Sequence, residues 1–234
     1  MVKQPKLTRK EIKQPDEFIT FSNKAFRWLK DNPRLITATT SGIILILAAV
    51  VGTFQYLQHR ERTVLDEYHL LEQELSKTTK DLSGHELDVK AAEFAPRYQQ
   101  LGENYSRTAT GQTALLRAGN LHARAGQFEP AVKVFELALP KFDSDDPRYH
   151  LILESLAYCY EGLQQFEGAL PYLERITTGT SPYLKDRAYF HLGRIYRLLK
   201  REAEAIANFK KVRELFPASP LVSAVDEEIT LIGK

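Results

Sequence analysis

The sequence predicts an all-α chain: one membrane-crossing helix, then a solenoid of helical hairpins closed by a C-terminal helix. Three observations predict it. Residues 35–57 (LITATTSGIILILAAVVGTFQYL) run for 23 positions without a charge. Beyond them, apolar residues recur at steps of three and four, the period of a helix face. Three later segments then repeat one order of small, aromatic and aliphatic side chains in phase, the signature of a stacked-repeat architecture.

The chain opens with a basic tail, residues 1–34. It carries nine Lys/Arg against four Asp/Glu, although the whole chain has a net charge of only +2. Residues 1–13 are basic and poor in apolar side chains, a composition of disordered or headgroup-associated segments. Pro15-Asp16-Glu17 reads as a helix start, with proline at the first position and acids in the first turn. At 100° per residue, Phe18, Ile19, Phe21, Ala25, Phe26, Trp28 and Leu29 fall within about 180°. Thr20, Asn23, Lys24, Arg27 and Lys30 take the other side. A helix over about 16–30 lying in the membrane interface fits this pattern; docking of the same face on a protein is the alternative. Asn32-Pro33 leaves only a tight turn before the span.

As a helix, residues 35–57 extend roughly 34 Å, enough for a hydrocarbon core of ~30 Å. Eleven are Leu, Ile, Val or Phe, and the four hydroxyls of Thr37, Thr39, Thr40 and Ser41 can bond back to helical carbonyls. A cleaved signal is the rival, with a small-residue site near Val50-Val51-Gly52, but its charged leader and apolar run are both too long. The excess of Lys/Arg before the span puts the N-terminus in the cytoplasm and the C-terminal part across the membrane. On the span, Ala38, Gly42, Ala49 and Gly52 project within about 80°, a stripe on which a second helix, from another copy or another protein, can pack closely.

Residues 58–106 continue as a membrane-proximal hairpin. Val64, Leu65, Tyr68, Leu71 and Leu75 extend the first helix to about Lys77-Lys80, and a second runs from about Glu86 to Leu101. Gly102 and Thr108–Gly111 punctuate the next boundary. Residues 107–217 hold the repeats, at about 112–143, 150–181 and 186–217. The first holds Leu115, Gly119, Gly126, Phe128, Ala131, Phe135 and Ala138, and the second holds Leu153, Leu156, Ala157, Tyr160, Phe166, Ala169, Leu173 and Ile176. The third has Tyr189, Leu192, Gly193, Tyr196, Ala205, Phe209, Val212 and Pro217. Gly119, Ala157 and Gly193 mark where the helices of a pair cross, and Phe135, Leu173 and Phe209 fill the space behind. Pro147 and Pro182 sit where they can open the next helix. Over residues 218–234, Ser219-Pro220 starts a closing helix with Leu221, Ala224, Val225, Ile229 and Ile232 inward and Asp226, Glu227 and Glu228 toward water. His122 stands at an aromatic position as a packing histidine, and the single Cys159 is a small buried apolar side chain.

These segments resemble tetratricopeptide repeats, with the spacing LG…Y…A…F…A…P clearest in Leu192-Gly193, Tyr196, Ala205, Phe209 and Pro217. The alanines of the second helices are spaced by 38 and 36 residues, against about 34 in the family, so longer inter-repeat turns are expected. The order of tail, span and degenerate repeats, with the helix at Ala91-Ala92-Glu93-Phe94, resembles the YfgM-type family. That resemblance implies an ancillary subunit of the Sec translocon, working with periplasmic folding factors from the bacterial inner membrane.

No catalytic constellation is present. The six histidines are scattered, with no HExxH, GxxxxGK[ST] or GxSxG, so no enzyme, cofactor or metal site is predicted. Asp143-Ser144-Asp145-Asp146 lacks the glycine and distal glutamate of a calcium loop. Carrying over the family's groove positions gives Thr113, Leu116, Asn120 and Ala123; Leu151, Glu154, Tyr158 and Glu161; and Arg187, Phe190, Arg194 and Arg197. The family's carboxylate clamp is met only by Asn120. Arg187, Arg194 and Arg197, with Phe190 between them, would suit an acidic segment; an equal reading pairs them with Glu154 and Glu161. The expected function is a membrane-anchored, non-enzymatic scaffold or chaperone-like adaptor whose partners are proteins (a translocon subunit, a folding factor or an unfolded client) and the lipid bilayer. An assembly factor for a pilus or secretion system, and a membrane signalling regulator, are the alternatives.

Overall fold

The computed structural model describes residues 17–232; the basic segment 1–13 and the Pro15-Asp16 helix start lie outside the described residues. The chain divides into two compact units, residues 1–57 and residues 58–234.

The first unit holds α1 (Glu17–Asp31), a single non-helical residue, Asn32, and the start of α2, which opens on Pro33 and ends at Thr79, within the second unit. The Asn32 backbone N–H and side-chain amide both donate to the Trp28 carbonyl, at 3.1 and 2.9 Å, so one residue closes α1. Proline then fits the first position of α2, where its missing N–H costs nothing. Thr37 donates to the Pro33 carbonyl at 3.0 Å and Thr40 to that of Ile36 at 2.7 Å, which removes their hydroxyls from the solvation cost. Ile43, Ile44, Leu47, Val50, Val51 and Phe54 are all exposed. A Cβ placed at Gly42 or Gly52 meets nothing within 4 Å.

In the second unit, Val64, Leu71 and Leu75 of α2 are buried. They pack with Phe94, Tyr98 and Leu101 and with Ala114, Ala118 and Leu121 in one core cluster. The expected second helix of this hairpin is two helices, α3 (Gly84–Ala92) and α4 (Ala95–Asn104). Pro96 is the cause: it has no N–H for the carbonyl four residues back and its ring crowds that turn. Glu93 and Phe94 instead bond to Lys90 and Ala91, three residues back. Gly102 is no boundary. It lies inside α4, buried, where a Cβ would stand 2.5 Å from Leu115 Cγ.

The helical pairs follow: α5 (Ala109–Arg124) with α6 (Phe128–Ala138), α7 (Pro147–Gly162) with α8 (Phe166–Thr178), and α9 (Lys185–Leu198) with α10 (Glu202–Leu215). Thr108 caps α5 by accepting from the Gly111 N–H at 3.0 Å, and Asp146 caps α7 by accepting from that of Arg148 at 2.8 Å. Each pair turns in one way. Gly126, Gln164 and Lys200 take left-handed φ of 74°, 59° and 59°. The next residue donates back to His122, Tyr160 and Tyr196 at 2.9, 2.9 and 2.8 Å, the bonding of a Schellman close. Only the first of these positions carries the expected glycine.

The crossings are as tight as the small residues predict. A Cβ at Gly119 would lie 2.6 Å from the Phe135 ring, and one at Gly193 would lie 2.5 Å from that of Phe209. Ala131, Ala169 and Ala205 are fully buried. Cys159 is buried too, which pushes its thiol up to about 12. His122 is buried with Nδ1 2.7 Å from Gln127 Oε1.

Three expectations are corrected at the C-terminal end. Pro182 lies in the connection and does not open α9, because Leu184 takes a left-handed φ of 60° and the helix begins at Lys185. The last helix, α11 (Val222–Ile232), starts two residues after Pro220. Ser219 Oγ accepts from the Leu221 N–H at 3.2 Å and donates to Asp186 at 2.6 Å, tying the connection to α9. Glu228 does not face water: its side chain is 17% exposed and pairs with Arg197 at 3.0 Å, while Asp226 pairs with Arg213 at 3.6 Å.

Candidate functional site

The first helices of successive pairs, α5, α7 and α9, present one face, and arginines stitch it. Arg117 of α5 grips Glu72 of α2 through two bonds, at 2.9 and 3.0 Å. Arg124 pairs with Asp88 of α3 at 2.7 Å. Arg187 and Arg194 of α9 pair with Glu154 and Glu161 of α7, both at 2.8 Å, and Arg197 reaches Glu228 of α11. Among the described residues, no ion pair joins α5 to α7.

A cavity of about 440 Å³ occupies that gap. Asn120 and Ala123 line it from α5, Ser155 and Tyr158 from α7, with Arg117, Arg124, Glu154, Arg187 and His191 around them. Tyr158 is exposed and rests edge-on against Phe128, ring centres 5.8 Å apart. Glu154 is only 14% exposed, and its Oε1 has no hydrogen-bond partner despite the Arg187 charge close by. Burial raises its carboxyl above the usual range; the Arg187 guanidinium offsets only part of that rise, and the Asp186 charge adds to it. The face therefore offers amide, guanidinium and carboxylate groups around a neutral floor with one exposed ring, the means to hold an extended polypeptide. Among the described residues, no group of three His, Cys, Asp or Glu is placed to hold a metal ion.

Of the twelve residues expected in the groove, Asn120, Ala123, Glu154, Tyr158 and Arg187 line the cavity. Glu161 and Arg194 form the next rung, and Arg197 turns to the closing helix. Phe190 does not sit between the arginines: its ring packs against Phe209, centres 5.7 Å apart, on the core. Sequence reasoning missed Arg117, Arg124, Ser155 and His191. The signal was position alone: Arg117 and Arg124 bracket Asn120 on one helix face, Ser155 follows Glu154 directly, and His191 lies one turn from both Arg187 and Arg194.

His191 makes the face sensitive to acid. Burial, then the neighbouring Arg194 and Arg187 charges, lower its pKa from 6.5 to about 4. Between those values the unfolded chain binds more protons than the native one, so stability is full above the upper value and falls as pH drops through the window. The expected loss is about 3 kcal/mol. His191→Gln should flatten this part of a melting-temperature profile taken between neutral pH and pH 4.

Two family models, each described as tetratricopeptide repeat, match residues 116–183 and residues 186–219. No curated protein sequence matches. Two solved structures of a Podosopora anserina putative kinesin light chain with nearly identical TPR-like repeats are similar to this chain. They are 16% identical, over 74% of this chain and 86% of theirs, with TM-scores of 0.54 for a point-mutant form and 0.53 for the other. A MamA RS-1 ArsTM double mutant is 18% identical over 71% of this chain and 93% of its own, with a TM-score of 0.50. Likenesses at these identities speak for the fold alone. The pairs α5–α6, α7–α8 and α9–α10 are tetratricopeptide repeats.

Proposed function

We propose that this chain is a membrane-anchored, non-enzymatic adaptor that holds protein partners on the α5–α7–α9 face. The observation that carries the reading is the one unstitched step in the ladder, between α5 and α7. There the exposed Asn120 amide and Tyr158 ring line a cavity of about 440 Å³, while every neighbouring step is closed by an arginine. Repeat modules of this kind act by binding other proteins on such surfaces.

The anchor in this reading is α2. Its apolar part is long enough to cross a membrane, and none of that stretch is buried within the chain, whereas a soluble core helix is largely covered. In this reading the N-terminus lies in the cytoplasm and the repeats on the extracytoplasmic side, which the excess of Lys/Arg before the span supports. The order of elements resembles the YfgM-type family, which supports a position in the bacterial inner membrane beside the Sec translocon and its folding factors. The stripe of Ala38, Gly42, Ala49 and Gly52 offers the contact for a neighbouring membrane helix.

A photoreactive residue at Tyr158 and a second at Gly42, in intact membranes, test both surfaces. Expected products are an extracytoplasmic client or folding factor from position 158 and a translocon subunit from position 42. Asn120→Ala with Tyr158→Ala should cut capture at the groove at least tenfold and leave the melting temperature within about 2 °C, as exposed substitutions do. Crosslinks between copies alone, or to pilus or secretion components, would move the reading to an assembly factor.

A further inference from the structure

We infer that α1 is a sensor of anionic lipid: its aromatic face enters the headgroup layer and its cations bind lipid phosphates, provided that α2 spans the bilayer as proposed above. Phe21, Phe26, Trp28 and Leu29 are exposed to 72, 71, 54 and 45%, a concentration of apolar surface on one short helix that water does not favour. Residues 21–34 carry Lys24, Arg27, Lys30 and Arg34 against the single acid Asp31. On the helical wheel, Lys24 and Lys30 flank the aromatic arc on either side and Arg27 stands opposite it. A helix so arranged lies flat, rings down, with its cations at phosphate depth.

The occupant follows from two further facts. A protein partner would need an apolar groove rimmed on both sides by acids, while an anionic leaflet supplies acyl chains and phosphates in one surface. The apolar run of α2 begins at Leu35, three residues after the Asn32 break, so the spanning helix delivers α1 to the layer for which its face is suited. Tryptophan, arginine and lysine at that depth are the usual interfacial anchors. Because the attraction is to phosphate charge, insertion should rise with anionic lipid content and weaken with salt.

Trp28 is the chain's only tryptophan, so its emission reports α1 alone. The full chain is reconstituted in phosphatidylcholine vesicles and in vesicles with about 30% phosphatidylglycerol, a typical anionic load. The anionic vesicles should shift Trp28 emission to the blue by ~10 nm and reduce iodide quenching severalfold, as burial at the interface requires. High salt should reverse part of this, and replacing Lys24, Arg27 and Lys30 together by Gln should abolish the difference between the vesicles. Equal emission and iodide access in both compositions overturns the inference. So does a Trp28 that is shielded equally in detergent and in both vesicles, which would mean a second copy or a protein covers the face. The spanning reading has its own reporter: Trp28→Phe with Phe54→Trp should be quenched by brominated acyl chains in both vesicles. Failure there removes the span, whatever Trp28 shows.

Discussion

Gly193→Leu is expected to lower the melting temperature of the full chain in detergent by about 10 °C. A Cβ at this position lies 2.5 to 2.8 Å from three atoms of the Phe209 ring, and Phe209 is fully buried. The ring has nowhere to retreat, because Ala205 and Val212 beside it are fully buried too. Overpacking of this kind costs ~3 kcal/mol, and for a chain of this size each kcal/mol moves the midpoint by roughly 2–4 °C. Phe209→Ala alone should cost about 3–5 kcal/mol through the cavity it leaves. The two together should cost less than their sum by 1–3 kcal/mol or so, because the leucine enters the space the ring vacates. Calorimetry of the four species measures this coupling. Strict additivity would show that the two residues do not share the crossing.

Reversing Arg187, Arg194 and Arg197 together to Glu should lower the melting temperature of the domain, so that a loss of binding in this variant would not isolate the groove. Each faces a carboxylate that is less than one-fifth exposed, on Glu154, Glu161 and Glu228. The Arg187 charge offsets part of the cost of burying Glu154, and a carboxylate in its place adds repulsion to that burial. The arginines are partly exposed and solvent screens them. About 1 kcal/mol for each reversed pair, ~3 kcal/mol in total, is therefore the appropriate scale. The compensating reversal of Glu154, Glu161 and Glu228 to Arg should restore most of the midpoint. Wild-type stability of the triple variant would mean that these pairs do not stitch the helices in solution. Asn120 and Tyr158, which take no part in the ladder, are the residues to change when binding is the question.

The fold was legible because its constraints are local. A crossing that admits no Cβ needs glycine or alanine on one helix and a large side chain behind it. Gly119 with Phe135 and Gly193 with Phe209 announce that requirement in phase. An uncharged run of 23 residues marks the candidate span equally directly, because no charged side chain interrupts it. Where the local reading failed, a backbone or packing detail intervened. Pro96 broke the expected helix over 86–101, and Gly102, taken as punctuation, proved to be a close contact with Leu115. The left-handed Gln164 and Lys200 carry no sequence signal, since the Schellman bonds hold them in a conformation that glycine would adopt more easily.

The site was legible only in part. Helical spacing places Asn120, Glu154, Tyr158 and Arg187 on inner faces, and they do converge. It could not decide that Phe190 turns into the core while His191 turns toward the cavity, because adjacent residues differ by only about 100° around a helix. Periodicity and composition by themselves determined the helices, the apolar span, the charged tail and the repeat. Which arginine meets which carboxylate, and therefore which step of the ladder stays open, was decided only by the stacking of the pairs. Those partners lie 33 residues apart in the chain for both Arg187 with Glu154 and Arg194 with Glu161, and only the superhelical stacking of one repeat on the next brings them within 2.8 Å.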